Sequence, residues 1–411
     1  MPRLFAHFTF LLFILTALSG LWMRLSPYLP GEIIPYTNVM HAHSHLAILG
    51  WTFLGVFLIF LSLFWKSIQQ KKQAYALVVS IFITSCLMFI AYIGQGYGTY
   101  AIIFSIIHIV VEYWAALFMY LQIKRRQNSV PYVSRLFIYG ALIALIISSI
   151  GPFSLGFIAA NGLRNSPIFD MAIYFYLHFQ YNGWLTLILI GLFIFTIHRR
   201  KIPFPHIWLK SGFWFYFVAL FPGYFLSILW SNVGYWGHIL ATIGSIGQFI
   251  GVVFVIIAFR EIWVHLYRQV REITIVSLWI TFFLLVVKST MELGLISPTM
   301  AALVYQTRSI IIGYLHFSLL GFISIFILTQ FQLNNMIHTS TKLFPSGMII
   351  FFVGFFLNEL FLFGDGFARW CGFGYIPYIS EGLLGASILM IVGIVIIWIA
   401  FAMQRKTRSM N

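Results

Sequence analysis

Apolar runs of about twenty residues recur along the chain, at 5–23, 45–65, 75–94, 100–122, 134–154, 171–197, 206–229, 238–259, 273–290, 309–330, 345–364 and 382–403. A helix of that length crosses the ~30 Å hydrocarbon core. Backbone groups in lipid must bond within their own segment, which favours helices. The pattern predicts an all-α fold, a polytopic membrane bundle of 12 transmembrane helices. No polar stretch between runs is long enough for a soluble domain, so residues 1–411 form a single transmembrane domain. The first run resembles a signal peptide, but no small-x-small cleavage site follows it, and it reads as a retained first helix.

A polar pattern is laid over the apolar one. His45 is followed five residues later by Gly50 and then Trp51. His178 leads in the same way to Gly183 and Trp184, and His316 to Gly321 and Phe322. The spacings are 133 and 138 residues, and the pattern begins helices two, six and ten. This predicts three pseudo-symmetric four-helix repeats, approximately 1–130, 131–270 and 271–411. A second series has His108 at the start of helix four and His238 at the start of helix eight, with Tyr378 at the matching place in helix twelve.

Composition agrees. The chain is 61% hydrophobic and 8% charged, with mean hydropathy +0.96. Soluble domains carry roughly 25% charged residues. The net charge of +15 does not indicate nucleic acid, because the basic residues sit in short clusters between apolar runs. With twelve spans, 19 of the 24 Lys and Arg residues fall on the side of the two termini. The positive-inside rule then makes both termini cytoplasmic. Only Arg24, Arg164, Lys288, Arg308 and Arg369 fall outside. Acidic residues lean the other way, with Glu32, Glu112, Asp170, Glu292, Glu359, Asp365 and Glu381 toward the outer face. His7, His198, His206, His265 and His338 read as interfacial, and the tail 404–408 as a cytoplasmic anchor. Cys86 and Cys371 give no disulfide framework, and the absence of CxxCH excludes covalent c-type haem.

Imidazole is costly in hydrocarbon without a partner. Its recurrence at matching depths points to a buried ligand site. In the densest cluster, His41-Ala42-His43-Ser44-His45, an α-helix puts His41 and His45 on one face and His43 on nearly the opposite one. The three cannot reach one ion unless a second helix contributes. Haem iron, copper, zinc and protons all remain open as ligands. His43, His45 and His316 are the cofactor-binding candidates, with Arg308 two turns before His316 to meet a propionate. His41, His178, His108 and His238 are the metal candidates. Glu112, four residues after His108, would fix that ring's tautomer or relay a proton. Lys288 and Glu292 have the spacing of an interfacial salt bridge.

Taken together, the span count, the inside termini and the outer-face histidines resemble the catalytic subunit of haem–copper oxidases and nitric oxide reductases. The stretch His43-Ser44-His45-Leu46-Ala47-Ile48-Leu49-Gly50-Trp51 is similar to that family's His-x-His haem-ligand segment, moved here from helix ten to helix two. NnrS-type membrane haem proteins, with an early His-Ala-His and a role in nitric oxide stress, are the nearer likeness. The resemblance implies a b-type haem with His45 and His316 as axial ligands, His43 at a second site, and His178 on haem or metal. It also implies a bacterial inner membrane, and a redox partner or diatomic gas as partner besides the bilayer. Helix seven lacks the family's copper His-His pair, offering only His206, and Tyr181 comes three rather than four residues after His178. Copper is therefore possible only at a non-standard site. A histidine-dependent transporter or metal-ion permease, and a structural subunit, are the alternatives.

Overall fold

The structure is a computed structural model describing residues 1, 3–29, 31, 33–337, 342–374 and 376–404. Glu32, His338 and tail residues 405–408 lie outside the described residues. All regular structure among the described residues is helical. Among the described residues, twelve helices are long and apolar enough to cross a membrane. They are α1 (Arg3–Tyr28), α2 (Tyr36–Phe64), α3 (Lys71–Gln95), α4 (Thr99–Lys124), α5 (Tyr132–Ala160), α6 (Pro167–Arg199), α7 (His206–Ser231), α8 (Gly234–Leu266), α9 (Glu272–Gly294), α10 (Arg308–Leu333), α11 (Leu343–Trp370) and α12 (Ile379–Ala402). A short helix, Pro298–Gln306, lies between α9 and α10.

Each spanning helix overlaps one apolar run, but three begin well before their histidine. α2 starts at Tyr36, just after Pro35, and stays helical through the polar stretch to His45. α6 starts at Pro167 and α10 at Arg308. His45, His178 and His316 are thus inside helices rather than at their mouths.

The contacts divide the chain into two compact units, Met1–Trp114 with Leu328–Asn411, and Ala115–Ile327. The divisions fall inside α4 and α10, not at the repeat boundaries expected from the sequence. In the first unit α11 and α12 pack along their length, and a Cβ on Gly393 would come within 2.7 Å of the Phe351 nitrogen. Glycine there lets two backbones touch, the usual way to join helices that gain no hydrophobic drive from lipid. Arg3 Nη2 donates to the Phe401 carbonyl at 2.7 Å, tying the start of α1 to the end of α12. In the second unit α7 and α8 pack closely, and within α7 the α-helical part containing Pro222 gives way to a 3₁₀ segment, Tyr224–Ser231. Proline removes an amide donor, so a regular ladder cannot continue through it.

α2, α6 and α10 are the enclosed helices. The buried shares of their apolar stretches are 89, 94 and 61%, against 39–50% for the other nine. These three carry the histidine–glycine–aromatic pattern.

Candidate functional site

The pattern marks a change of backbone. α2 is π-helical over Leu46–Thr52, α6 over His178–Leu185 and α10 over Phe317–Ser324. Each π segment opens at, or one residue after, the histidine, and each encloses the glycine and the aromatic. π turns are rare and concentrate at functional sites. Polar groups take up carbonyls of the widened turns. Thr186 Oγ1 bonds the Tyr181 carbonyl five residues back at 2.6 Å, and Ser324 Oγ bonds that of Leu319 at 2.7 Å. The glycine has a steric reason in α6, where a Cβ on Gly183 would sit 2.7 Å from Ala144 Cβ of α5. The aromatics are core. Trp51, Trp184 and Phe322 are all buried, and Trp51 stacks on Phe13 at 3.9 Å.

In the first unit the histidines of α2 face two ways. His43 turns to α1, where its Nδ1 lies 2.9 Å from the Thr16 carbonyl and 3.2 Å from Ser19 Oγ. A carbonyl only accepts, so Nδ1 carries the proton and Nε2 the lone pair of the neutral ring. Gly20 leaves the ring its room, since a Cβ there would meet His43 Cε1 at 3.1 Å. His41 and His45 face α3 and its following turn. His45 stacks on Tyr92 at 4.3 Å and its Nε2 lies 3.2 Å from Tyr97 Oη, while His41 packs edge-on to Tyr97 at 4.4 Å.

His108 of α4 is fully buried beside the π segment of α2. Its Nε2 donates to the Leu49 carbonyl at 3.1 Å, so its Nδ1 accepts from Thr84 Oγ1 at 2.7 Å. Glu112 is also buried, with Oε1 3.7 Å from His108 Nε2 and without a hydrogen-bond partner. That separation is beyond hydrogen-bond reach. It is the Leu49 carbonyl, not Glu112, that sets this tautomer.

In the second unit a buried polar chain links four helices. His178 Nε2 donates to the Leu220 carbonyl of α7 at 2.8 Å. That carbonyl is available because the Tyr224 amide, displaced by the Pro222 irregularity, bonds those of Phe221 and Pro222 instead. His178 Nδ1 then accepts from Asn182 Nδ2 at 3.3 Å. Asn182 Oδ1 accepts from Lys288 Nζ of α9. Lys288 also donates to Glu292 Oε1 at 2.8 Å, and Tyr314 of α10 donates to the same oxygen at 2.5 Å. The ammonium lies over the rings of Tyr181 and Tyr314, 5.6 and 5.9 Å from their centroids. The pair expected at a membrane interface is instead buried, with Lys288 1% exposed.

His316 is half-buried, and its Nδ1 lies 2.8 Å from the Ile312 carbonyl one turn back. Nδ1 therefore carries the proton and Nε2 the lone pair. Arg308, expected near a propionate, is exposed at the start of α10. His238 is half-buried, the fifth residue of α8. Arg369 is held by Asp365 of its own helix at 3.1 Å. Cys86 and Cys371 are free thiols. Among the described residues, no three His, Cys, Asp or Glu side chains gather as a metal site. Sequence reasoning missed Asn182, Thr84, Tyr97 and Tyr314. Only Asn182 carried a local signal, standing four residues after His178. No protein-family model matches the chain, and no curated protein matches it.

Proposed function

We propose that this twelve-span membrane protein binds haem through imidazoles of its π-opened helices, at His43 or His45 within the first unit and, as a separate site, at His316 within the second. The observation that carries the reading is the tautomer of His316 and His43. Each ring gives its Nδ1 proton to a main-chain carbonyl, Ile312 or Thr16. An imidazole anchored in that way is fixed in direction and in tautomer, as metal-binding histidines are. His45 meets the Tyr97 hydroxyl through Nε2 and would exchange that bond for a metal. His108 and His178 have both ring nitrogens bonded, so their part is to hold irregular helices in place rather than to ligate. A bound haem would supply reversible electron transfer, or an open position for a gas such as nitric oxide or oxygen.

A visible spectrum of the purified protein tests this. A Soret band that weakens or shifts in His316→Ala and His43→Ala supports the reading. A folded, colourless protein, or a spectrum unmoved by both substitutions, overturns it. One observation favours a second reading, an ion- or proton-coupled transporter. Intramembrane ionisable groups commonly mark ion pathways, and Lys288 and Glu292 are buried together in the second unit. Cation uptake into vesicles by colourless protein, lost in Lys288→Met, would favour it.

A further inference from the structure

We propose that the cleft between the turn after α6 and the end of α8 binds the phosphate headgroup of an anionic phospholipid. The cleft has a volume of about 310 Å³ and lies within the second unit. Lys201 forms one wall, and His265, Arg268 and Gln269 the other. Its apolar surface comes from Ile202, Pro203 and Val264. No acidic side chain lines it, although Glu261 stands one turn before His265 on α8 and Glu272 opens α9.

The turn that presents Lys201 has a recognisable construction. The Lys201 amide bonds the His198 carbonyl at 2.9 Å, and the Ile202 amide bonds that of Ile197 at 3.2 Å. This is the Schellman end of a helix, whose left-handed residue is normally glycine. Here that residue is lysine, with φ +58°. A side chain in this conformation is strained, and such strain concentrates at functional positions. Ile202, buried at 3% exposure, pins the turn, so the lysine is held at the cleft by a rigid frame. Opposite it, Arg268 gives its Nε to Tyr267 Oη at 3.1 Å and lays its guanidinium on that ring at 5.5 Å. The guanidinium edge is thereby fixed while its terminal nitrogens remain suited to a phosphate oxygen.

Charge complementarity and position select the occupant. The cleft lies at the ends of spanning helices, on the side that holds most of the Lys and Arg residues. By the positive-inside rule this is the leaflet where anionic lipids attract basic segments. A free phosphate would use the cations but leave the apolar surface wet. A lipid headgroup with its glycerol and first methylenes covers both.

The test uses the full chain, purified in detergent and observed by native mass spectrometry with defined lipids. Phosphatidylglycerol is expected to stay bound where phosphatidylcholine with the same acyl chains is lost. Lys201→Gly and Arg268→Gln should each weaken retention about five-fold, and Lys201→Arg should keep it. Lys201→Gly should also raise the thermal midpoint, because glycine relaxes the turn, so its lipid loss cannot be put down to misfolding. Equal retention of phosphatidylcholine, displacement of phosphatidylglycerol by millimolar inorganic phosphate, or unchanged retention in Lys201→Gly would each overturn the proposal.

Discussion

His108 in the first unit and His178 in the second solve the same local problem in two ways. Both are buried, and both give an Nε2 proton to a main-chain carbonyl next to a helix irregularity, Leu49 at 3.1 Å and Leu220 at 2.8 Å. They differ in the carboxyl group nearby. Glu292 is held by a lysine and a tyrosine, and its cation reaches back through Asn182 to His178. Glu112 has an oxygen with no hydrogen-bond partner at all. A buried network is stabilising when each member is satisfied and a liability when one is not. The second unit therefore holds a closed ionic circuit, while the first holds an open one.

Removing a partner from the closed circuit should do the greatest damage. Lys288→Met leaves Glu292 buried without its cation, and should cost about 3–5 kcal/mol. The double variant Lys288→Met, Glu292→Leu should recover most of that loss, read as thermal unfolding in detergent. A double variant no better than the single one would show that the two charges are not a unit. Asn182→Leu comes next. It takes an acceptor from Lys288 and a donor from His178, and should cost about 1–3 kcal/mol. An unchanged midpoint would mean that the circuit ends at the lysine. The smallest effect belongs to Glu112→Gln, which breaks no hydrogen bond to Oε1 and should stay within about 1 kcal/mol. A loss as large as that of Lys288→Met would erase the contrast between the units.

Much of the architecture was legible in the sequence, because an apolar run of bilayer length has few other uses. All twelve runs are helices, and His45, His178 and His316 stand at the widened turns of the three enclosed helices. The π backbone was not legible. It differs from an α-helix in hydrogen-bond register, and composition does not encode register. The entry of His41–His45 into the body of α2 was hidden for a related reason, since a polar segment can continue a helix that an apolar count has not yet begun. Lys288 and Glu292 show another limit. Their four-residue spacing brings them together whether they face lipid headgroups or core, and only the arrival of Asn182 and Tyr314 from other helices decides which. The partners of His43 and His108 are main-chain carbonyls on neighbouring helices, and no motif announces a carbonyl.

The wide turns have one more consequence. A π turn closes on the fifth residue where an α turn closes on the fourth, so α2, α6 and α10 each hold surplus chain within a given length. Deleting one residue inside 46–52 would let the ladder fall back to the ordinary helix while the segments on either side keep their phase. Beyond that point Phe53 to Leu61 are buried on every side, and they would keep their neighbours. These three helices are where the chain can shed a residue and still reach across the bilayer.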